Sequence, residues 1–211
     1  MAIYANGIED IKKIYEKIGQ YPDFIHVDII DSSMHKEASD TNLHQLNIVK
    51  AYWPNHKIHT HIMSKFPSKW LNKAIEYSDI IYFHLDCSED IKVLSNRIKS
   101  HNKIPGLVLH KIDNNQELNK ILKFFKEILV LSVNIPGISG QSFDIKVLNL
   151  IDKLNKSKLR NKFNICVDGG IKSNLLSKFT SERIVSGSDV LNSLNPKRRI
   201  MRLQTLSRYE K

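Results

Sequence analysis

Phe24-Ile25-His26-Val27-Asp28-Ile29-Ile30 is an apolar, β-branched run broken twice, two residues apart, by a side chain that can bind a metal or carry a proton. Successive side chains of a strand point to opposite faces, so His26 and Asp28 share one face. Apolar residues on both faces suit a parallel strand buried on each side. The pattern recurs in Lys57-Ile58-His59-Thr60-His61-Ile62-Met63, and Phe163-Asn164-Ile165-Cys166-Val167-Asp168 ends in a carboxylate before Gly169-Gly170. His26, Asp28, His61 and Asp168 thus arrive at the ends of separate predicted strands. Two imidazoles and two carboxylates suit a divalent metal. Two carboxylates at one metal also suit moving a proton on and off carbon. His59 lies deeper in its strand and reads as a core or supporting residue.

Working outward, short β-rich runs alternate with amphipathic ones. Strands are expected at Ala2–Ala5, Phe24–Ile29, Lys57–Met63, Ile80–Leu85, Gly106–His110, Ile128–Val133, Phe163–Asp168 and Ile184–Gly187. Helical spacing of three and four links Ile8, Ile11, Ile14 and Ile18, then Trp70, Leu71, Ala74 and Ile75, and more loosely Leu148, Ile151 and Leu154. Ser88, followed by Asp90 to Lys92, and Ser173, before Leu175, look like helix openings. Eight such units predict one domain, residues 1–211, folded as a (β/α)₈ barrel. The runner-up is an open doubly wound sheet. Closure is favoured because candidate residues on strands two, three, seven and eight converge only if the sheet closes.

Bulk properties narrow the class. No apolar run approaches the roughly 18 residues of a membrane span, and Met1-Ala2-Ile3-Tyr4 lacks a basic segment followed by an apolar one, so neither membrane insertion nor a secretory signal is expected. Cys87 and Cys166 are too few for a disulfide framework and read as reduced thiols in a cytoplasmic protein. The formal charge of +10 is concentrated at Lys153 to Lys162 and Lys197 to Arg208. No nucleic-acid-binding module accompanies it, so no nucleic-acid partner is expected. These cations read as solvated helix faces that attract anionic substrates modestly.

Asp168-Gly169-Gly170 and Ser186-Gly187-Ser188-Asp189 are small-residue turns from a strand into a helix. Such turns let backbone amides approach a phosphate, and a helix N-terminus favours its charge. Phosphate sites after strands seven and eight recur in barrels. The loop Pro136-Gly137-Ile138-Ser139-Gly140-Gln141-Ser142-Phe143 reads either as a mobile, phosphate-proximal segment or as an ordinary connection.

These residues, in order, resemble the ribulose-phosphate 3-epimerase family. The resemblance is carried by Ile25 to Asp31, by His61-Ile62-Met63 with Pro67 and Trp70, and by Phe83-His84-Leu85-Asp86. It continues through Pro136 to Phe143, Val167-Asp168-Gly169-Gly170-Ile171 and Ser186-Gly187-Ser188. It implies one Zn²⁺ or Fe²⁺ (Mn²⁺ or Co²⁺ as alternatives) held by His26, Asp28, His61 and Asp168. It also implies that Asp28 and Asp168 act as acid and base, inverting C3 of a phosphorylated ketose through an enediolate, with D-ribulose 5-phosphate and D-xylulose 5-phosphate as the default pair. Met63, Gly137, Ser139, Gly140, Gly169, Gly170, Gly187 and Ser188 would contact the substrate or its phosphate. A homo-oligomer is an open expectation.

The chain departs from the family in its substrate-facing parts. The family's first-strand serine aligns at or before Met1, and its loop after the second strand is replaced by Asp31-Ser32-Ser33-Met34-His35-Lys36-Glu37-Ala38. Two family methionines become Ile30 and Leu131, leaving Met63, and Ile135 resembles an insertion. His110-Lys111 differs from the family's residues after the fifth strand. His84, His110 and Lys111 sit near strand ends, as substrate contacts or as core and rim. Two alternatives remain: the same chemistry on another sugar phosphate, as in surface-polysaccharide precursor synthesis, or a non-catalytic phosphosugar-binding barrel.

Overall fold

Alternation along each strand creates two apolar regions, one facing the helices and one filling the space inside the sheet. The computed structural model describes residues 2–3, 8–35, 45–111 and 118–209. Its strands are β1 (Ala2–Ile3), β2 (Phe24–Ile30), β3 (Lys57–Met63), β4 (Ile80–His84), β5 (Ile104–Leu109), β6 (Glu127–Leu131), β7 (Asn164–Asp168) and β8 (Arg183–Val185). The helices between and after them are α1 (Ile8–Ile18), α2 (Gln45–Tyr52), α3 (Ser68–Tyr77), α4 (Ile91–Ser100), α5 (Leu118–Leu122), α6 (Val147–Asn155), α7 (Ser188–Leu191) and α8 (Pro196–Tyr209). Every neighbouring pair of strands is parallel and the order in space is the order in sequence. The amide of Ala2 on β1 donates to the carbonyl of Ser186, the residue that follows β8, at 3.3 Å, joining the end of the sheet to its beginning. That closure makes a (β/α)₈ barrel and removes the open-sheet alternative.

Outward-facing Ile25, Val27, Ile29, Ile58, Phe83 and Leu107 pack with helical Ile11, Ile18, Leu46, Leu71 and Ile98 in one continuous layer. Each such fully buried aliphatic side chain contributes about 2 kcal/mol through the water it sheds. The opposite parity fills the lumen with Tyr82, Val108, Leu129, Leu131, Cys166 and Val185. It is this inward parity that carries His26, Asp28, His61, His84 and Asp168.

Local signals mostly hold, with three informative shifts. Gly19, at φ 54°, stops α1, and its amide donates to the Tyr15 carbonyl at 2.7 Å. Helix α4 is capped by Asp90 rather than Ser88, because the Asp90 carboxylate accepts from the Lys92 amide at 2.7 Å and the Val93 amide at 3.3 Å. Ser173 is the first residue of a 3₁₀ segment, Ser173–Lys178, and the N-cap position falls on Lys172, which makes no side-chain cap. Strand β8 ends at Val185, so Ser186 and Gly187 belong to the loop above it. Tyr4 and Ala5 of the first expected strand, and Lys36 to Ala38 of the altered loop, lie outside the described residues.

Candidate metal centre

Registry brings the expected ligands together. Asp28 on β2 stands beside His61 on β3, and β7 contributes Asp168 from across the lumen. One ligating atom from each of His26, Asp28, His61 and Asp168 lies within 4.8 Å of the others. His26 Nε2 is 3.4 Å from Asp28 Oδ1 and 3.6 Å from Asp168 Oδ2, and His61 Nδ1 repeats those two distances. A tetrahedral ion with ligand bonds of about 2.1 Å holds its ligand atoms about 3.4 Å apart. Both nitrogens of His26, Nδ1 of His61 and Oδ1 of Asp28 are buried with no hydrogen-bond partner among the described residues. Buried polar atoms without partners are costly unless something satisfies them. Donor chemistry, spacing and unsatisfied atoms therefore fit a divalent ion.

The electrostatics are those of a cation site. Burial would raise the Asp28 carboxyl, but contact with His26 and His61 and their charge hold it well below the usual carboxylate range. Burial would lower His61, yet Asp168 and Asp28 raise its imidazole to about 9. Both histidines are fully enclosed, whereas the Asp28 and Asp168 side chains keep 14% and 11% of their surface exposed. Only the carboxylates are reachable from the mouth.

Other side chains support this floor. The buried Gln45 amide donates to the Asp28 carbonyl at 3.0 Å, fixing β2 beside its loop. No sequence signal pointed to Gln45. His61 Nε2 lies 2.9 Å from Nε2 of the fully buried His84, which burial pulls down to about 4. Its inward parity on β4 was legible, although its role was left open. His59 is separate from the cluster: it stacks on Phe24 with centroids 4.3 Å apart, and burial lowers its imidazole to about 2.

Above the cluster, Met63 packs with Ile30 and Met34 in a small apolar patch. Leu131 lies with the lumen residues, and the half-buried His110 approaches the Val133 carbonyl with Nε2 at 3.0 Å. Lys111 is exposed, at φ 48°. Asp31 accepts from Ser33, from Ser64 at 2.5 Å and from the Trp70 indole at 2.8 Å, so the loop after β2 is pinned to the one after β3.

The glycine turns have their own geometry. Gly169 and Gly170 have φ of 110° and 63°, and a Cβ at either would strike Val133 or the backbone of Phe143 at 2.6 and 2.4 Å. The loops after β6 and β7 thus press together, which only glycine permits. Gly137 and Gly140 also have positive φ, at 82° and 78°. The loop between them is stapled by Gln141, whose side chain bonds the Ile135 amide and the Ile135 and Ile138 carbonyls at 3.0, 2.6 and 2.7 Å. Ser139 and Ser188 are exposed, and Gly187 precedes the four-residue α7. Of the basic runs, Lys156 pairs with Asp152, Arg160 with Glu182 and Arg199 with Asp189. Among the described residues no helix is long and apolar enough to cross a membrane.

The same barrel, with similar sequence, occurs elsewhere. Among solved structures, 3-hexulose-6-phosphate synthase from Salmonella typhimurium superposes with a TM-score of 0.74 over 100% of this chain and 98% of its own, at 14% identity, a likeness of fold. A ribulose-phosphate 3-epimerase of Helicobacter pylori is 26% identical over 195 residues, 87% of this chain and 86% of that protein. One from Chlamydia pneumoniae is 29% identical over 159 residues, 71% and 66% of the two chains. The model of the ribulose-phosphate 3 epimerase family matches residues 2–191, a span that includes all eight strands and all four clustered side chains. On that match, the chain belongs to the ribulose-phosphate 3-epimerase family.

Proposed function

We propose that this protein inverts C3 of a ketose phosphate, interconverting D-ribulose 5-phosphate and D-xylulose 5-phosphate by default. The observation that carries this is the convergence of two enclosed imidazoles and two partly exposed carboxylates within 4.8 Å at the carboxyl end of the barrel. His26, Asp28, His61 and Asp168 would hold one divalent ion, Zn²⁺ or Fe²⁺ first, with Mn²⁺ or Co²⁺ as substitutes. When bound, such an ion supplies Lewis acidity that makes a proton beside a carbonyl easier to remove. Asp28 and Asp168 reach the lumen from β2 and β7, which are separated by β1 and β8. One takes the C3 proton from one face of the substrate and the other returns a proton to the opposite face, so configuration inverts. In the reverse direction their roles exchange. Met63 flanks the reacting carbons, and the turns at Gly137, Ser139 and Gly140, Gly169 and Gly170, and Gly187 and Ser188 cradle the phosphate.

The mouth favours keeping a second substrate in view. Ile30 and Met34 beside Met63, and the half-buried His110 after β5, make a different surface from the family's methionine set. A sugar phosphate other than a pentulose phosphate is the corresponding reading. Both are tested by incubating metal-loaded protein with D-ribulose 5-phosphate in D₂O and following the C3 proton by NMR, beside a panel of ketose phosphates. Loss of the C3 signal with growth of xylulose 5-phosphate is the expected result. Turnover of another ketose phosphate alone favours the second substrate. No exchange with any of them, metal being bound, overturns both.

A further inference from the structure

His61 makes one contact that the proposed chemistry does not use. Its Nδ1 faces Asp28 and Asp168, while its other nitrogen, Nε2, lies 2.9 Å from Nε2 of His84. The two rings are inclined by 17° with centroids 5.1 Å apart. His84 is wholly buried, and its Nδ1 faces Asp86 Oδ1 at 3.6 Å. Asp86 in turn accepts from the Lys65 ammonium at 2.6 Å, and Lys65 also donates to the Asp86 carbonyl at 3.0 Å. Four side chains therefore run in line from the cluster to the surface, where the Asp86 side chain is 60% exposed.

Proton counting allows one arrangement of this line when a cation sits in the cluster. A ligating imidazole nitrogen carries no proton, so a neutral His61 bound through Nδ1 must carry its proton on Nε2. That N–H points at His84 Nε2, which must then be the acceptor and be bare. The remaining proton of neutral His84 falls on Nδ1, facing the Asp86 carboxylate. Reversing any member sets two N–H groups, or two lone pairs, against each other inside the protein.

We propose that His84 and Asp86 are positioning residues that fix His61 in its Nε2–H form, so that His61 Nδ1 is presented to the metal and its affinity is set in part from the barrel surface. This rests on the metal site proposed above. Lys65 anchors the outer end of the line. Its backbone amide donates to Ser33 Oγ at 3.0 Å, so the same residue links the loops after β2, β3 and β4.

The test compares Zn²⁺ affinity, by chelator competition, in the parent, His84→Leu, His84→Gln and Asp86→Asn, with thermal melts of each metal-free protein. Loss of an outer partner of this kind costs 10–100-fold in metal affinity, and that is expected for His84→Leu. His84→Gln should recover most of it, because its amide oxygen can accept the His61 proton. Asp86→Asn should lose less than His84→Leu. In Zn²⁺-loaded protein labelled with ¹⁵N-histidine, protons should reside on His61 Nε2 and His84 Nδ1. Equal affinity of parent and His84→Leu overturns the inference, as does a bare His61 Nε2. Equal losses in the Leu and Gln variants with unchanged melts would reduce His84 to a space-filling role and overturn it too. Failure of the parent itself to bind any divalent metal would instead remove the site on which the inference rests.

Discussion

The two ends of the barrel lumen each hold a buried polar cluster, and they differ in how fully it is satisfied. At the amino end Glu127 accepts from Arg183, from Asn164 at 2.9 Å and from the Tyr82 hydroxyl at 3.4 Å. At the carboxyl end, three atoms that face one another, His26 Nε2, Asp28 Oδ1 and His61 Nδ1, have no hydrogen bond among the described residues. A cavity of about 650 Å³ opens at the amino end, lined by Glu127, Arg183 and His59 among others. Volume is therefore a poor guide here. Buried charge that is already paired reads as structural, whereas converging polar atoms without partners are a set that a bound ion would satisfy. His59 is the exception at the lower end, with Nδ1 unpartnered. Its burial holds it neutral, which lowers the cost.

The largest expected effect breaks the upper cluster chemically. Asp28→Asn and Asp168→Asn should each lower kcat by about 10²–10⁴-fold, the usual worth of a positioned acid or base. They should also split by direction. In D₂O, each variant that still binds metal should exchange the C3 proton of the epimer its remaining carboxylate can reach, without producing the other epimer. Equal loss of exchange for both epimers in both variants would deny the division of labour. Glu127→Gln strikes the lower cluster, where the side chain is 5% exposed and its Arg183 partner 26%. Breaking such a pair from one side should destabilise the fold by about 3 kcal/mol, read by chemical denaturation. Metal affinity should remain as in the parent. A large fall in affinity would mean that the two ends are coupled through the lumen.

How much of this was legible follows from the same parity argument. Two-residue alternation in Phe24 to Ile30 and Lys57 to Met63 identified both the strands and the inward side chains, since one rule controls each. The cluster His26, Asp28, His61 and Asp168 was readable for that reason. Asp90 as the cap of α4, and the 3₁₀ segment at Ser173, were not, because several polar residues compete at each position and sequence does not rank them. Gln45 was invisible because its partner is a backbone carbonyl, which leaves no trace in residue type. Gly169 and Gly170 read as phosphate ligands, whereas the closeness of Val133 and Phe143 supplies an independent packing reason for both. The Gln141 staple on the loop of Gly137 to Gly140 likewise depends on side-chain reach, which spacing does not report.

Asp31 provides the smallest and sharpest test of the contrast, because it stands beside the upper cluster yet is as well satisfied as Glu127. It is 4% exposed and takes bonds from Ser33, Ser64 and Trp70. Burial would raise its carboxyl, but these bonds outweigh it and hold the group below its ordinary value. A carboxylate whose folded value is depressed stabilises the fold fully above its unfolded value and loses that contribution as pH falls through the folded one. Asp31→Asn should therefore cost about 2 kcal/mol at neutral pH, the worth of a hydrogen bond to a charged group. The gap from the parent should hold down to about pH 4 and close below it. Denaturation of both proteins between pH 7 and pH 3 reads this directly. A gap that persists unchanged into acid would mean that Asp31 contributes through shape rather than charge. A loss of metal affinity at neutral pH without a loss of stability would move it from the frame of the mouth into the site.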